Sequence, residues 1–481
     1  MPSSSPKIQS VIPAAIPAAI RGNAGAETRV GIAGLLPLAT AVLTASKPGA
    51  GVATAAQDRD VSIWEITTWI LPMAPEHLRR VLAQTPGLPQ GRTGTEGGTR
   101  WFSLADVAAL RAHFAGVGAR TGGRTGSRTS GRGKVYRPHR PPGARAPLIA
   151  MAGPQGRVGR STGLLHLACA AALAGYRVLV LDADPAGILA RQLGARQLET
   201  RQLEAGPAAP VATILPLIAG SCGIHLRQVN ARRLDRGEPP LPLDEMMAAA
   251  LDSPAAALIR PTAWPGLDII AAAPDLALAD LLITGWRTAL RSWHPARALA
   301  EAVDRDDLRQ RYDLILCDTG AGLGPLVMAV LTAADVLLVP TGLDTGDGTG
   351  DGAPVADGLT TLVRALRMQD AEATMTARAL GHPAPQFGWR RVCALPVGAP
   401  LSGGDMGAGL SGPVRQLPPL PVVPQIGAGQ VAHLYALDYR DTGKLVYGPL
   451  RSACDATWHS LAAVLSGLWA EDGAALAADP P

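Results

Sequence analysis

Residues 146–192 read APLIAMAGPQGRVGRSTGLLHLACAAALAGYRVLVLDADPAGILARQ, and this stretch decides the fold. Its two apolar runs, residues 148–152 and 178–181, have the length of buried parallel strands. Residues 162–175 between them are rich in Ala and Leu and end at Gly175, as a crossover helix does. The turn into that helix is Pro154-Gln-Gly-Arg-Val-Gly-Arg-Ser-Thr162. A phosphate-binding loop needs glycines that let the backbone close, N–H groups aimed at the anion, a cation and a hydroxyl for magnesium. Gly156 and Gly159 flank Arg157 and Val158, and Ser161 and Thr162 supply hydroxyls. Arg160 stands where such loops carry lysine; it keeps the charge but is larger and planar.

Asp182-Ala-Asp184-Pro185 follows the second strand, which puts both carboxylates at the carboxyl end of the sheet, where ligands bind in such folds. One could act through magnesium and the other could position a water. Asp318 follows the apolar run 314–317 and is placed like the acidic residue of a magnesium shell. An aspartate after a strand is also a common helix cap, but three in this order point to nucleotide binding.

Outward from this stretch, runs at 267–272, 314–317, 336–340, 392–395 and 420–423 alternate with helical segments. That alternation predicts a doubly wound, mostly parallel α/β sheet over residues 148–470 with right-handed crossovers. Residues 193–265 read as an irregular insertion covering one edge, 344–352 as a loop, and 471–481 as a tail.

On the amino-terminal side, residues 117–147 read as an Arg/Gly-rich linker; 116–145 hold Arg120, Arg124, Arg128, Arg132, Lys134, Arg137, Arg140 and Arg145 without an acidic residue. Such a run is either a solvated linker or a sequence-independent phosphate contact. Residues 59–116 predict a small helical domain. Ser62 caps a helix carrying Ile66, Trp69 and Ile70, and a second helix starts near Pro75. A short strand follows near Trp101, and a capping box at Ser103–Asp106 starts a third helix reaching about Ala115. Two readings stay open: a winged-helix DNA reader using Arg79 and Arg80, or a dimerisation module whose arginines are only solvated. Residues 1–58 read as an arm with at most one helix, near 30–45.

Composition narrows the class. The 481 residues include 47% hydrophobic but only 4% aromatic side chains, so the core must be Ala, Leu and Val. Only Lys7, Lys47, Lys134 and Lys444 are lysine among 44 Lys+Arg, so one Lys-to-Arg exchange carries less meaning here than usual. Five scattered cysteines show no metal or redox spacing. No signal peptide or membrane span is read, and the expected location is the cytoplasm.

The segments PQGRVGRST and GYRVLVLDADPAG resemble the deviant-loop partition ATPases of the ParA/MinD type, whose loop reads KGGVGKT before a GxRVLxxDxDPQ strand. More narrowly they resemble the RepA branch of repABC plasmid partition systems. HLRRVL, LPQGR and RWFSLADVAALR are similar to its amino-terminal region, YRPHRPPG to its connector, and PGLDIIAA and RYDLILCDTGAGLGPL to its later strands. The resemblance implies a homodimer that sandwiches ATP and Mg2+, an amino-terminal helix-turn-helix domain for DNA, a ParB-like partner and association with the nucleoid. It assigns Gly156 to Thr162 to the phosphates, Ser161, Asp182 and Asp318 to the metal, and Asp184 to catalysis.

The departures are specific. Gln155 stands at the signature lysine that reaches the partner's nucleotide, Arg160 at the phosphate lysine, and DTGAG replaces D-x-PP. Slow or absent hydrolysis is therefore expected. The competing reading is a nucleotide-independent DNA-binding repressor or scaffold that kept the fold.

Overall fold

The computed structural model describes residues 60–93, 100–121, 140–153, 159–193, 213–342, 353–379, 388–399, 414–421, 435 and 444–478. The arm 1–58, Arg124, Arg128, Arg132, Gln155, Gly156, Arg157, Val158 and the segment 344–352 lie outside the described residues.

The central sheet runs in the order β11 (Val414–Gln416), β10 (Arg391–Ala399), β9 (Val336–Gly342), β4 (Leu148–Met151), β8 (Leu314–Asp318), β5 (Val178–Asp182), β7 (Leu267–Ile270), β6 (Arg260–Pro261), with β12 (Leu420–Pro421) also pairing β10. All pairings are parallel except β6 with β7. The mostly parallel α/β expectation holds. Alternate side chains of each buried strand enter opposite layers: Ile149, Met151, Val178 and Val180 one, Leu148, Ala150, Leu179 and Leu181 the other. Both layers are apolar because helices cover both faces.

Three short strands, β1 (Val61–Ser62), β2 (Arg92–Thr93) and β3 (Arg100–Phe102), form a separate antiparallel sheet in the order β1-β3-β2. Ser62 makes a reciprocal capping box with Glu65, starting a helical segment that runs to Ile70. Helix α1 (Pro75–Gln84) follows after a short turn. Helix α2 (Leu104–Thr121) starts on the box in which the Asp106 N–H donates to Ser103 and the Ser103 N–H to Asp106. It runs past the expected end at Ala115, so the linker begins inside a helix.

This amino-terminal unit shares a core with helix α3 (Arg160–Leu173) and the long carboxy-terminal helix, Lys444–Ala478. Arg111 on α2 is buried and donates to the carbonyls of Ile70 and Leu173, tying the unit to the end of α3. Gly175, at φ +92°, ends α3 where a side chain would meet Arg111. Tyr176 packs edge-on to Trp458 and stacked on Trp469 of the carboxy-terminal helix.

The other layer holds α4 (Leu215–Asp235), α5 (Ala279–Ala289), α6 (Pro295–Arg305) and α7 (Pro325–Ala333). The stretch read as an irregular insertion thus contributes a long helix, α4, and a shorter one at Glu245–Asp252. Ile214, Leu217, Ile218 and Cys222 bury in the core, so this segment is structural rather than an edge cover. The boundary placed at 470 falls inside the last helix, where Glu471 and Asp472 pair with Arg390. All five cysteines are buried and unbonded. Among the described residues, no helix is long and apolar enough to cross a membrane.

Candidate nucleotide site

The site sits at the carboxyl ends of three neighbouring strands. β8 lies between β4 and β5, and the register places Met151 opposite Asp318 and Asp318 opposite Asp182. β4 leads through Gly153 to the loop, and α3 starts at Arg160 behind it. Gly159 caps α3 at φ +78°, and a Cβ there would overlap Val397 of β10. Only glycine fits that corner. Arg160 is buried, and its guanidinium donates to the Gly153 carbonyl, joining the two ends of the loop. Burial lowers the Arg160 pKa, with Asp318 and Asp184 opposing the shift.

Ser161 Oγ donates to Asp318 Oδ2 at 2.5 Å. Asp318 is fully buried, and its Oδ1 has no hydrogen-bond partner among the described residues. Burial raises the Asp318 pKa, helped by Asp184, and the Ser161 hydroxyl, Arg160 and the Gly320 N–H only partly offset this. A buried carboxylate oxygen left without a partner is costly unless a cation or donor arrives. A hydroxyl and this carboxylate therefore fit magnesium, a hard cation that takes one or two protein oxygens and draws the rest from phosphate and water.

Asp182 differs. It is also fully buried, but its Oδ1 accepts the Asp184 N–H and its Oδ2 the Ala190 N–H. Burial first, and then Asp318 beside it, hold its pKa well above the usual carboxylate range. Both Asp182 oxygens thus anchor backbone, and each keeps a second lone pair. Asp184 is half-buried, and its Oδ1 accepts the Ala186 N–H. Thr162 lies in the first turn of α3, where its carbonyl meets His166 Nδ1 at 2.7 Å.

The loop after Asp318 carries glycines where the resembling family has prolines. Gly320 takes φ +61° and Gly322 φ +114°. A Cβ on Gly320 would lie 3.0 Å from Asp184 Cα, so the loops after β5 and β8 touch there. Proline, fixed near φ −65°, cannot adopt the Gly320 conformation. Thr319, which the sequence reading did not single out, donates its hydroxyl to the Met151 carbonyl at 2.7 Å.

In the amino-terminal unit Arg79 and Arg80 are exposed on α1, beside Glu76 and His77 respectively. Two arginines not predicted, Arg92 and Arg100, lie exposed on β2 and β3.

A family described as an AAA domain matches residues 146–350. The chain is 27% identical over 276 residues to the "Putative replication protein A" of Rhizobium rhizogenes, covering 56% of this chain and 55% of that one. It is 31% identical over 197 residues to the chromosome-partitioning ATPase Soj of Thermus thermophilus, covering 41% and 55%. A solved partition protein is 17% identical with a TM-score of 0.45, over 86% of this chain and 98% of that one. The chain spans about half the length of the curated relatives it matches. Over residues 146–350 the chain thus matches an AAA domain, and over about two fifths of its length it is similar to chromosome-partitioning proteins.

Proposed function

We propose that the chain is a RepA-like partition protein of the ParA type, which binds ATP with Mg2+ and binds DNA as a homodimer, turning ATP over slowly or not at all. The observation that carries this reading is the Ser161–Asp318 pair with its unpartnered buried oxygen. Ser161 and Asp318 would hold the magnesium, which when bound neutralises phosphate charge. Arg160 and the N-terminus of α3 orient the phosphates, and Asp184 at the loop junction positions a water.

Gln155 carries no charge where a cation would cross to the partner's nucleotide. An arginine finger is worth ~10³–10⁵ in rate, so this loss favours binding over turnover. The exposed Arg79, Arg80, Arg92 and Arg100 suit the backbone contacts of a DNA-binding unit, with Arg124, Arg128 and Arg132 adding sequence-independent attraction. A ParB-like protein is the proposed partner, and the nucleoid the proposed location.

The test is equilibrium binding of a fluorescent ATP analogue with and without Mg2+, alongside phosphate release with and without DNA. Tight magnesium-dependent binding with little turnover supports the proposal. No nucleotide binding at all, with DNA binding intact, would favour a nucleotide-independent repressor or scaffold. Gln155→Lys with Arg160→Lys should raise turnover; an unchanged rate would refute the roles given to both positions.

A further inference from the structure

We propose that Asp280 is a positioning residue of the nucleotide site, pinning the far end of the loop that runs from Asp318 to α7; the inference rests on the nucleotide-binding reading above. The cap position of helix α7 is Gly324, which has no side chain to cap it, and Pro325 at the first helical position has no N–H. The next amide, Leu326, donates to Asp280 Oδ1 at 2.9 Å from the neighbouring helix α5. A cap is thus supplied across the fold. The second carboxylate oxygen fills the space beside Gly324, where a Cβ would overlap it. Asp280 is therefore seated by one hydrogen bond and by one glycine that leaves it room.

The loop has an inner anchor as well. The Ala183 N–H donates to the Asp318 carbonyl, and Thr319 donates to Met151. Between the anchors, Gly320 and Gly322 hold positive φ, and Gly320 lies beside Asp184 with no room for a side chain between them. A glycine segment has little conformational preference of its own, so its shape depends on both ends being fixed and loosens when one is freed. Releasing Asp280 lets the start of α7 and Gly320 shift, and with them the placement of Asp184 relative to Asp318.

The experiment is a magnesium titration of fluorescent ATP analogue binding on the full chain, with amide exchange at Leu326 read in parallel. Removal of groups that orient metal ligands lowers metal affinity about 10–100-fold. Asp280→Ala should weaken the magnesium-dependent gain in nucleotide affinity at the lower end of that range and leave magnesium-free affinity unchanged. Asp280→Asn, which keeps an acceptor oxygen, should restore it. Gly324→Ala should copy Asp280→Ala in the parent chain but add nothing to it, because the space is already vacated.

Loss of Leu326 protection in Asp280→Ala with an unaltered magnesium titration would overturn the positioning role. Equal, additive effects of Gly324→Ala in both backgrounds would overturn it too. If the parent chain binds no nucleotide, the functional reading itself fails, an outcome distinct from a parent that binds while Asp280→Ala leaves it unmoved.

Discussion

Two of the places where the molecule buries charge treat it in opposite ways. At the junction of the amino-terminal unit with the carboxy-terminal helix, every buried ionic group has found partners. Glu65 accepts from the Ser62 N–H and from Tyr447. Arg451 binds Asp455 through Nε at 3.0 and 3.1 Å, donates to Tyr447 and lies over the Tyr435 ring. At the end of β8, Asp318 is buried as deeply, yet one oxygen has no partner among the described residues and an aspartate sits beside it. Burial with compensation defines how two parts fit together; burial without it makes a place that gains by binding a cation.

Breaking the compensated cluster should have the largest effect. Arg451→Met leaves Asp455 and Tyr447 without their cation in an enclosed core. Removing one member of a buried ion pair costs about 3–5 kcal/mol. The urea midpoint should fall accordingly, with the loss read in both the amino-terminal unit and the α/β domain. A midpoint equal to the parent's would show that the cluster is not stabilised by mutual pairing.

The same operation at the other site should have the opposite sign. Asp318→Asn removes the charge that burial disfavours, and should stabilise the metal-free protein by about 1–3 kcal/mol, the cost of a buried unsatisfied group. It should also abolish magnesium-dependent nucleotide affinity. The pH dependence follows from the raised pKa values of Asp182 and Asp318. The folded state keeps these protons to a higher pH than the unfolded chain does. Their stabilising contribution is full below the ordinary carboxylate range and is lost as pH rises through the folded-state values. Stability of the metal-free protein should decline over that interval, less steeply in Asp318→Asn, while magnesium affinity rises. Thermal melts at a series of pH values check both slopes.

How much of this was legible depended on the distance along the chain between interacting residues. The strands, the Ser62 cap, the Ser103–Asp106 capping box and the three strand-end aspartates could be read because each is a local pattern. The Glu65–Tyr447 contact joins residues 382 positions apart, and no periodicity announces it. Asp280 lies in the first turn of α5, and its link to Leu326 appears only when α5 and α7 are side by side. The different standing of Asp182 was hidden for the same reason: the sequence places its carboxylate at the strand end but not the Ala190 N–H that turns back to meet it. The 471–481 boundary was drawn on composition, which does not show the ion pairs of Glu471 and Asp472 with Arg390.

A smaller effect tests the backbone that connects the carboxylates. Gly320→Ala places a Cβ 3.0 Å from Asp184 Cα at φ +61°. A left-handed non-glycine residue costs roughly 1–2 kcal/mol before any clash. Gly320→Pro, which restores the residue type of the resembling family, should cost more because φ cannot be reached. Chemical denaturation ranks the two, and a tolerated proline would mean that this loop readily takes another conformation.

The smallest change probes the compensated cluster without uncovering a charge. Tyr447→Phe removes one hydroxyl that donates to Glu65 at 3.4 Å and accepts from Arg451 at 3.4 Å. Both bonds are long, Glu65 keeps its Ser62 donors, and Arg451 keeps Asp455. The loss should be about 1 kcal/mol, the net worth of one ordinary hydrogen bond. Set beside Arg451→Met, the ratio separates two ideas about the junction. If the cluster works as independent pairs, the hydroxyl costs little and the guanidinium much. If Tyr447 is the link that holds Glu65 and Arg451 in one network, Tyr447→Phe should approach the loss of Arg451→Met, and the double variant should cost no more than Arg451→Met alone.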